Sequence, residues 1–247
     1  TDELLTLLPF SILSFDNKPL INKFQIEKIG LGDLQESPNM SLRLDAFGAT
    51  QGNKNFTKLP GVKKEIDAIT SLESKSKIKR NSYLDNDFNI NNFIKAFDFK
   101  SDIVHISTHF KINGNQADSS KMLLGNGNTI SIANLWEKLP YASTDLVILS
   151  ACNTANLMTA QSGKSSEGLT NIFQRKGARN VISTLWEIDD LATYRFMTVF
   201  YSIFLNNDIT PSKALQLTQL VFDFGSTEVL PDKIKLVNDE YFMDAMK

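Results

Sequence analysis

One cysteine and two histidines stand out in this chain of 247 residues, because of where two of them fall. Cys152 closes the apolar run in DLVILSACNTA, Asp145 to Ala155, and His109 closes the one in SDIVHISTHF, Ser101 to Phe110. A thiolate attacking a carbonyl carbon, beside an imidazole that protonates the leaving amine, is nucleophilic catalysis. Backbone N–H groups in tight turns after each run could hold the oxyanion. The opposing possibility is plain: a lone cysteine after an apolar run is most often a small core residue. His105 lies inside its run and is expected to make a structural hydrogen bond. Its i,i+4 spacing from His109 separates the two by about 13 Å along a strand, which argues against a shared metal. With so few thiols and imidazoles no zinc cluster is available, and no metal or cofactor is expected.

Parallel strands would bring the two runs together. KIKRNSYL, SDIVHISTHF, TDLVILSA and ARNVISTLW read as strands, with SLRLDAFGAT as the first, ending at Gly48. Between them, LPGVKKEIDAITSLES places Val62, Ile66 and Ile69 at helical spacing, and NINNFIKAF, IANLWEKL and SSEGLTNIFQRKG read as further helices. DLATYRFMTVFYSIFLN and TPSKALQLTQLVFDF are helices too, the second with Thr210 as N-cap and Pro211 at its first position. KMLLGNGNTIS carries the Asn-Gly of a hairpin. Alternation of this kind predicts an α/β domain, a mainly parallel sheet flanked by helices on both faces with a small β-hairpin insertion. One domain over residues 1–247 is expected, with residues 1–40 an irregular β-rich edge that includes FSILSF and KFQIEKIGL. In open parallel sheets, ligands and catalytic groups collect beyond the carboxyl ends of the strands, where His109 and Cys152 would meet.

Composition is that of a globular protein, 42% hydrophobic and 22% charged, with a net charge of -2 that offers no basic field for nucleic acid. No apolar run approaches the roughly 18 residues of a membrane span. A single cysteine suits a reducing compartment, so a cytoplasmic location is expected. The opening TDELLTLLPF has neither an initiator Met nor a basic signal-peptide start, which reads as a piece of a longer protein.

VHISTHF, LVILSACNTA, GLTNIFQRKGARNVISTLWEIDD and MTVFYSIFLNN, in that order, resemble the CHAT domain, a family of caspase-like and separase-like cysteine peptidases. The likeness extends from about Leu42, through LPGVKKEIDAI, to about Leu220. It implies a caspase-like fold and a catalytic dyad of His109 and Cys152, with the backbone N–H groups of Phe110 and Cys152 as oxyanion donors. Three positions depart from the family pattern. Phe110 replaces a glycine after the histidine, which is expected to crowd the cleft. Asn153 replaces a commoner acid, which removes a charge that would disfavour thiolate. KIKLVNDEYFMDAMK replaces the usual ending. The resemblance also implies tetratricopeptide repeats upstream and a protein substrate. The dyad separation and divergent ending are compatible with the CHAT peptidases of RNA-guided type III-E CRISPR effector complexes, which makes such a complex a candidate partner.

WEIDD follows a strand, so Asp189 and Asp190 share the rim of the dyad. By resemblance to separases Asp190 is a candidate for the pocket that receives a basic side chain; the competing role is capping of the following helix. Glu167 could border the same cleft, or sit in the first turn of its helix. SGKSSEG lacks the spacing of a phosphate loop, which argues against a nucleotide-binding domain. Lys75 to Arg80 read as a solvated strand edge, and Trp136 and Trp186 as core or near-core. NGNQADSSK and NTANLMTAQSGKSSEG, polar loops beside the dyad positions, are expected to be order–disorder elements of a switch. The leading expectation is a regulated cysteine endopeptidase; the alternative is a catalytically silent scaffold of the same fold.

Overall fold

Strands that are apolar on both faces must be covered twice, and the chain does this with two helical layers on one sheet. The computed structural model describes residues 13–15, 18–22, 24, 42–75, 77–111, 120–150, 162–184, 188–236 and 240–246, with backbone alone at 14, 15, 18, 162–168, 240, 241 and 243. Two short strands, β1 (Ser14–Phe15) and β2 (Lys18–Pro19), form an antiparallel pair near the N-terminus. Most of KFQIEKIGL lies outside the described residues. The body follows in order: β3 (Leu42–Gly48), α1 (Pro60–Ser71), β4 (Ile78–Leu84), α2 (Ile90–Asp98) and β5 (Ile103–Ser107). Then come β6 (Phe110–Lys111), β7 (Lys121–Leu123), β8 (Thr129–Ser131), α3 (Ile132–Lys138) and β9 (Thr144–Ser150). The chain continues through α4 (Ser162–Arg175), β10 (Ala178–Ser183), α5 (Asp190–Phe204), α6 (Pro211–Phe224) and α7 (Glu240–Ala245).

The central sheet has five strands in the order β10-β9-β5-β3-β4, every pairing parallel. Its two faces make two cores. Phe93 and Phe97 of α2, Leu135 of α3 and Phe173 of α4 cover one face around Phe47, Val104 and Val147. Val62, Ile66 and Ile69 of α1, Phe200 and Tyr201 of α5 and Leu217 of α6 cover the other, over Leu44, Ala46 and Ile148. The expected helical stripe of α1 is therefore its buried face. Each of the valine, leucine, isoleucine and phenylalanine side chains among these, taken fully out of water, contributes about 1.5–3 kcal/mol. Among the described residues no helix is long and apolar enough to cross a membrane.

Two expectations change. SDIVHISTHF does not run as one strand to His109: β5 stops at Ser107, and Phe110 begins β6 in a different sheet. The chain leaves the central sheet there because Phe110 and Lys111 pair with β7. The insertion is also larger than a hairpin, a three-stranded antiparallel sheet β6-β7-β8. Its β7–β8 turn carries the anticipated Asn126-Gly127, with Gly127 at φ 83, the left-handed conformation that glycine adopts without cost. Lys77 and Lys79 are exposed on or beside β4, an edge strand among the described residues.

The starts of α1 and α5 lie against each other. The Asp190 Oδ2 atom accepts from the Gly61 N–H at 2.5 Å. A Cβ on Gly61 would stand 2.7 Å from the carbonyl carbon and oxygen of Asp190, too close for any side chain. Gly61→Ala is therefore expected to destabilise the fold by about 1–3 kcal/mol through overpacking. In a domain of this size that lowers Tm by about 2–4 °C per kcal/mol. An unchanged melting curve would show that the two helix starts are not held in contact.

Candidate functional site

In sequence order the five parallel strands run 2-1-3-4-5 across the sheet, so the direction of travel reverses between β3 and β5. At such a reversal the loops beyond the carboxyl ends diverge and leave a crevice. His109 follows β5 at this point, and the β3–α1 loop bends over it.

That loop is tied down along its length. Ala49 N donates to Ser107 O at 3.0 Å, and Leu59 N to Thr50 O at 3.0 Å. The Thr50 N–H and hydroxyl both donate to the Asp85 carboxylate at 2.8–2.9 Å. Asn53 Nδ2 reaches Gly127 O at 3.2 Å in the β7–β8 turn. So anchored, the loop brings Phe56 and Thr57 to His109. The Phe56 ring stacks on the imidazole, centroids 5.2 Å apart and planes 22° from parallel. Thr57 O lies 2.8 Å from His109 Nε2. A carbonyl can only accept, so Nε2 carries the proton, and in the neutral ring Nδ1 is left as the basic nitrogen. The backbone around the ring is held as well: Thr108 Oγ1 donates to Leu123 O at 2.8 Å. Leu123 N donates to His109 O at 3.0 Å. His109 is fully buried.

The same register decides where the Phe110 N–H points. Phe110 faces Met122 while Leu123 N bonds His109 O, which makes Phe110–Met122 a non-hydrogen-bonded pair. The Phe110 N–H is thus directed out of the ladder, away from β7. Its ring lies in the core with Met122 and Leu123 instead of in a cleft, contrary to the crowding expected of it.

Below the rim is a polar cluster inside an otherwise apolar layer. Glu65, on the buried face of α1, places its carboxylate against two neighbouring strands. Its Oε1 atom lies 2.9 Å from His105 Nε2 and also accepts from the Ser150 hydroxyl; Oε2 accepts from the Ser107 hydroxyl at 2.8 Å. Tyr201 of α5 sets its hydroxyl 3.3 Å from His105 Nδ1. All five residues are buried. Burial, then the nearby Glu65 carboxylate, hold the Tyr201 hydroxyl well above the usual range of a phenol, so it stays protonated. A proton on Tyr201 pointing at Nδ1 leaves Nε2–H to donate to Glu65, a directed chain of bonds across the layer. Ser107 and Ser150 are paired in register across β5 and β9, and each precedes one member of the expected dyad by two residues.

His105 has the structural role expected of it. Cys152 and Asn153 lie outside the described residues, as does Trp186; of the two polar loops, 113–119 and 153–161 are outside them. Glu167 falls in the second turn of α4 instead of its first, and its side chain is not described. Asp189 caps α5, its Oδ1 atom accepting from Leu191 N at 3.0 Å and Ala192 N at 3.1 Å. Asp190 is engaged with Gly61 as above. Trp136 and Tyr141 each present a ring face 4.4 Å from the Lys176 ammonium, a half-buried structural contact for Trp136. A surface depression of about 430 Å³ lies along α2 and beside Lys138, and includes none of these residues. Glu65, Thr57 and Phe56 were not anticipated from sequence. An acid inside an apolar helical stripe, facing strands that carry His and Ser among apolar residues, is the signal that would have found the first.

A family model, the CHAT domain, matches residues 1–225. No curated protein matches. Among solved structures, the crystal structure of Chaetomium thermophilum Raptor is 12% identical with a TM-score of 0.36, over 86% of this chain and 23% of that one. The chain thus spans about a quarter of the length of that protein's chain.

The Tyr201 phenol gives the buried cluster an alkaline limit. An unfolded tyrosine loses its proton near pH 10, whereas folded Tyr201 keeps it, so the folded state binds more protons above that pH. Stability from this source is complete below pH 10 and is lost as pH rises beyond it. Denaturant melts from pH 8 to 11 should show a shallower alkaline loss in Tyr201→Phe than in the wild type. Equal slopes would show that Tyr201 ionises normally.

Proposed function

The chain belongs to the CHAT domain family, whose members are caspase-like, peptidase-related domains; on that premise we propose that it is a cysteine endopeptidase acting through His109 and Cys152. The observation that carries this is the bond from His109 Nε2–H to Thr57 O, which leaves Nδ1 basic in a ring fixed at the strand reversal. Chain continuity adds support. Two peptide units tether Cys152 within about 7 Å of Ser150, which is level with Ser107 across β5 and β9.

In this mechanism His109 Nδ1 takes the Cys152 proton, and the thiolate attacks the scissile carbonyl carbon. The oxyanion is held by backbone N–H groups, those of Phe110 and Cys152, and the imidazolium returns its proton to the leaving amine. Water, deprotonated by the same ring, then releases the acid product and restores the thiol. No metal or cofactor enters. Because His109 is fully buried, a peptide can reach it only after the surrounding chain opens. We therefore place control of activity in that opening, driven by a binding partner; an upstream repeat region and an RNA-guided effector complex are the candidates. The same burial also suits the alternative, a silent scaffold.

The test is N-terminal proteomics with the intact protein, with and without candidate partners. Wild type should generate new substrate N-termini that Cys152→Ala and His109→Ala do not, at a cost of several orders of magnitude in rate. His105→Ala should mainly lower stability, by about 1–3 kcal/mol for the unsatisfied Glu65 acceptor plus a cavity contribution. Identical cleavage by Cys152→Ala would remove the dyad from the account and favour the scaffold.

Substrate recognition is proposed for Asp190, Asp189 and Glu167, as acceptors for a basic residue before the cut. Asp190→Asn keeps an oxygen for the Gly61 N–H but removes the charge. It should lower kcat/KM for peptides with Arg or Lys at that position by at least about tenfold, with Tm little changed. A loss of Tm with unaltered sequence preference would reduce Asp190 to its tie to α1.

A further inference from the structure

We infer that Glu65 is the positioning residue of the dyad, a single buried carboxylate that holds the two dyad-bearing strands level. The inference rests on the proposed peptidase function, but its observations are independent of it. Glu65 is the point at which α1 meets both strands: Oε2 takes the hydroxyl of Ser107 on β5, and Oε1 that of Ser150 on β9, together with His105 Nε2. Ser107 and Ser150 are partners in register, and His109 and Cys152 each follow two residues later. Two residues are too short a tether to absorb a slip of one strand against the other. Relative displacement of β5 and β9 would carry directly into the separation of imidazole and thiol.

Glu65 bonds to His105, Ser107 and Ser150, each short of the dyad positions along its strand, so its effect on them is exerted through geometry. The preceding loop adds to this, since it runs from β3 to α1 and supplies Thr57 O to His109. One helix thereby governs the heights of both strand ends, and its own N-terminal approach fixes the tautomer of the base.

A second buried carboxylate provides the control. Asp45 of β3 accepts from Arg43 Nε at 2.9 Å, Asn81 Nδ2 at 2.5 Å and the Ser101 hydroxyl, and is equally buried. Arg43 and Ser101 lie at the opposite ends of β3 and β5 from His109, and Asn81 lies at the middle of β4. A purely structural role for Glu65 predicts that the two behave alike.

The experiment compares Glu65→Gln, Ser150→Ala and Asp45→Asn in the intact protein. It reads Tm, kcat and KM on a cleaved substrate, and the iodoacetamide alkylation rate of Cys152 by mass spectrometry. Glu65→Gln is expected to lower kcat by about 10- to 100-fold with KM within about twofold, the scale of a misplacement near 1 Å. Ser150→Ala, which removes one donor and threatens folding less, should lose about 3- to 10-fold in kcat. Both should slow Cys152 alkylation, because thiolate character depends on the neighbouring imidazole. Asp45→Asn should lower Tm without changing kcat or alkylation per folded molecule. Wild-type kcat and alkylation in folded Glu65→Gln or Ser150→Ala would overturn the inference and leave the dyad standing. Cleavage by Cys152→Ala at the wild-type rate would overturn the dyad, and with it the assignment of Glu65 as its positioning residue.

Discussion

A carboxylate removed from water costs several kcal/mol unless it is met by donors with good geometry. Glu65 is met by three, from two strands. This one requirement organises much of the molecule. It fixes the rotation of α1 on the sheet, because only one face of the helix can offer the carboxylate to Ser107 and Ser150 while burying Val62, Ile66 and Ile69. It places a histidine inside β5, whose far nitrogen needs the Tyr201 hydroxyl, and so sets the register of α5. α5 in turn starts against α1 through Asp190 and Gly61. Removing any one member leaves a polar group buried without its partner, and such clusters tend to be all or nothing.

The layer above depends on that foundation. The reversal of strand order between β3 and β5 opens the only place in the described sheet where loops diverge. The β3–α1 loop would be free to wander there, but bonds to Ser107, Asp85 and Gly127 pin it. It then supplies what the imidazole needs: a stacked ring from Phe56 and an acceptor from Thr57. The partner that orients His109 Nε2 is a backbone carbonyl, that of Thr57. The direction of the Phe110 N–H comes from the hairpin register, so the small antiparallel sheet belongs to the site as much as the large one.

Periodicity carried the fold. Apolar runs at IVHIS and TDLVILS, the spacing of Val62, Ile66 and Ile69, the Thr210-Pro211 start and the Asn126-Gly127 turn each correspond to an observed element. What sequence alone missed has a common cause, which is contact between residues far apart in the chain. Glu65 in VKKEIDA looks like one more solvated acid until its place is noted, three residues after Val62 and four before Ile69. His105, Ser107 and Ser150 interrupt runs that should be wholly apolar, and buried polar groups must satisfy one another. Together the four residues form a solvable puzzle. Thr57 and Phe56 do not, since nothing local marks which loop will cross which strand end. The end of β5 at Ser107 was hidden for the same reason: Phe110 suits either sheet, and only its pairing with β7 decides.

The central claim is that a level pair of strands, held through Glu65, sets imidazole and thiol face to face. The direct measurement is the distance from Cys152 Sγ to His109 Nδ1 in experimental structures of the intact protein, alone and with each candidate partner. In the cleaving state the account predicts a separation of about 4 Å or less, with Nε2 still on Thr57 O and Glu65 still on both serines. A cleaving state with the two atoms beyond about 6 Å, or with the Glu65 contacts broken and the dyad intact, would contradict it.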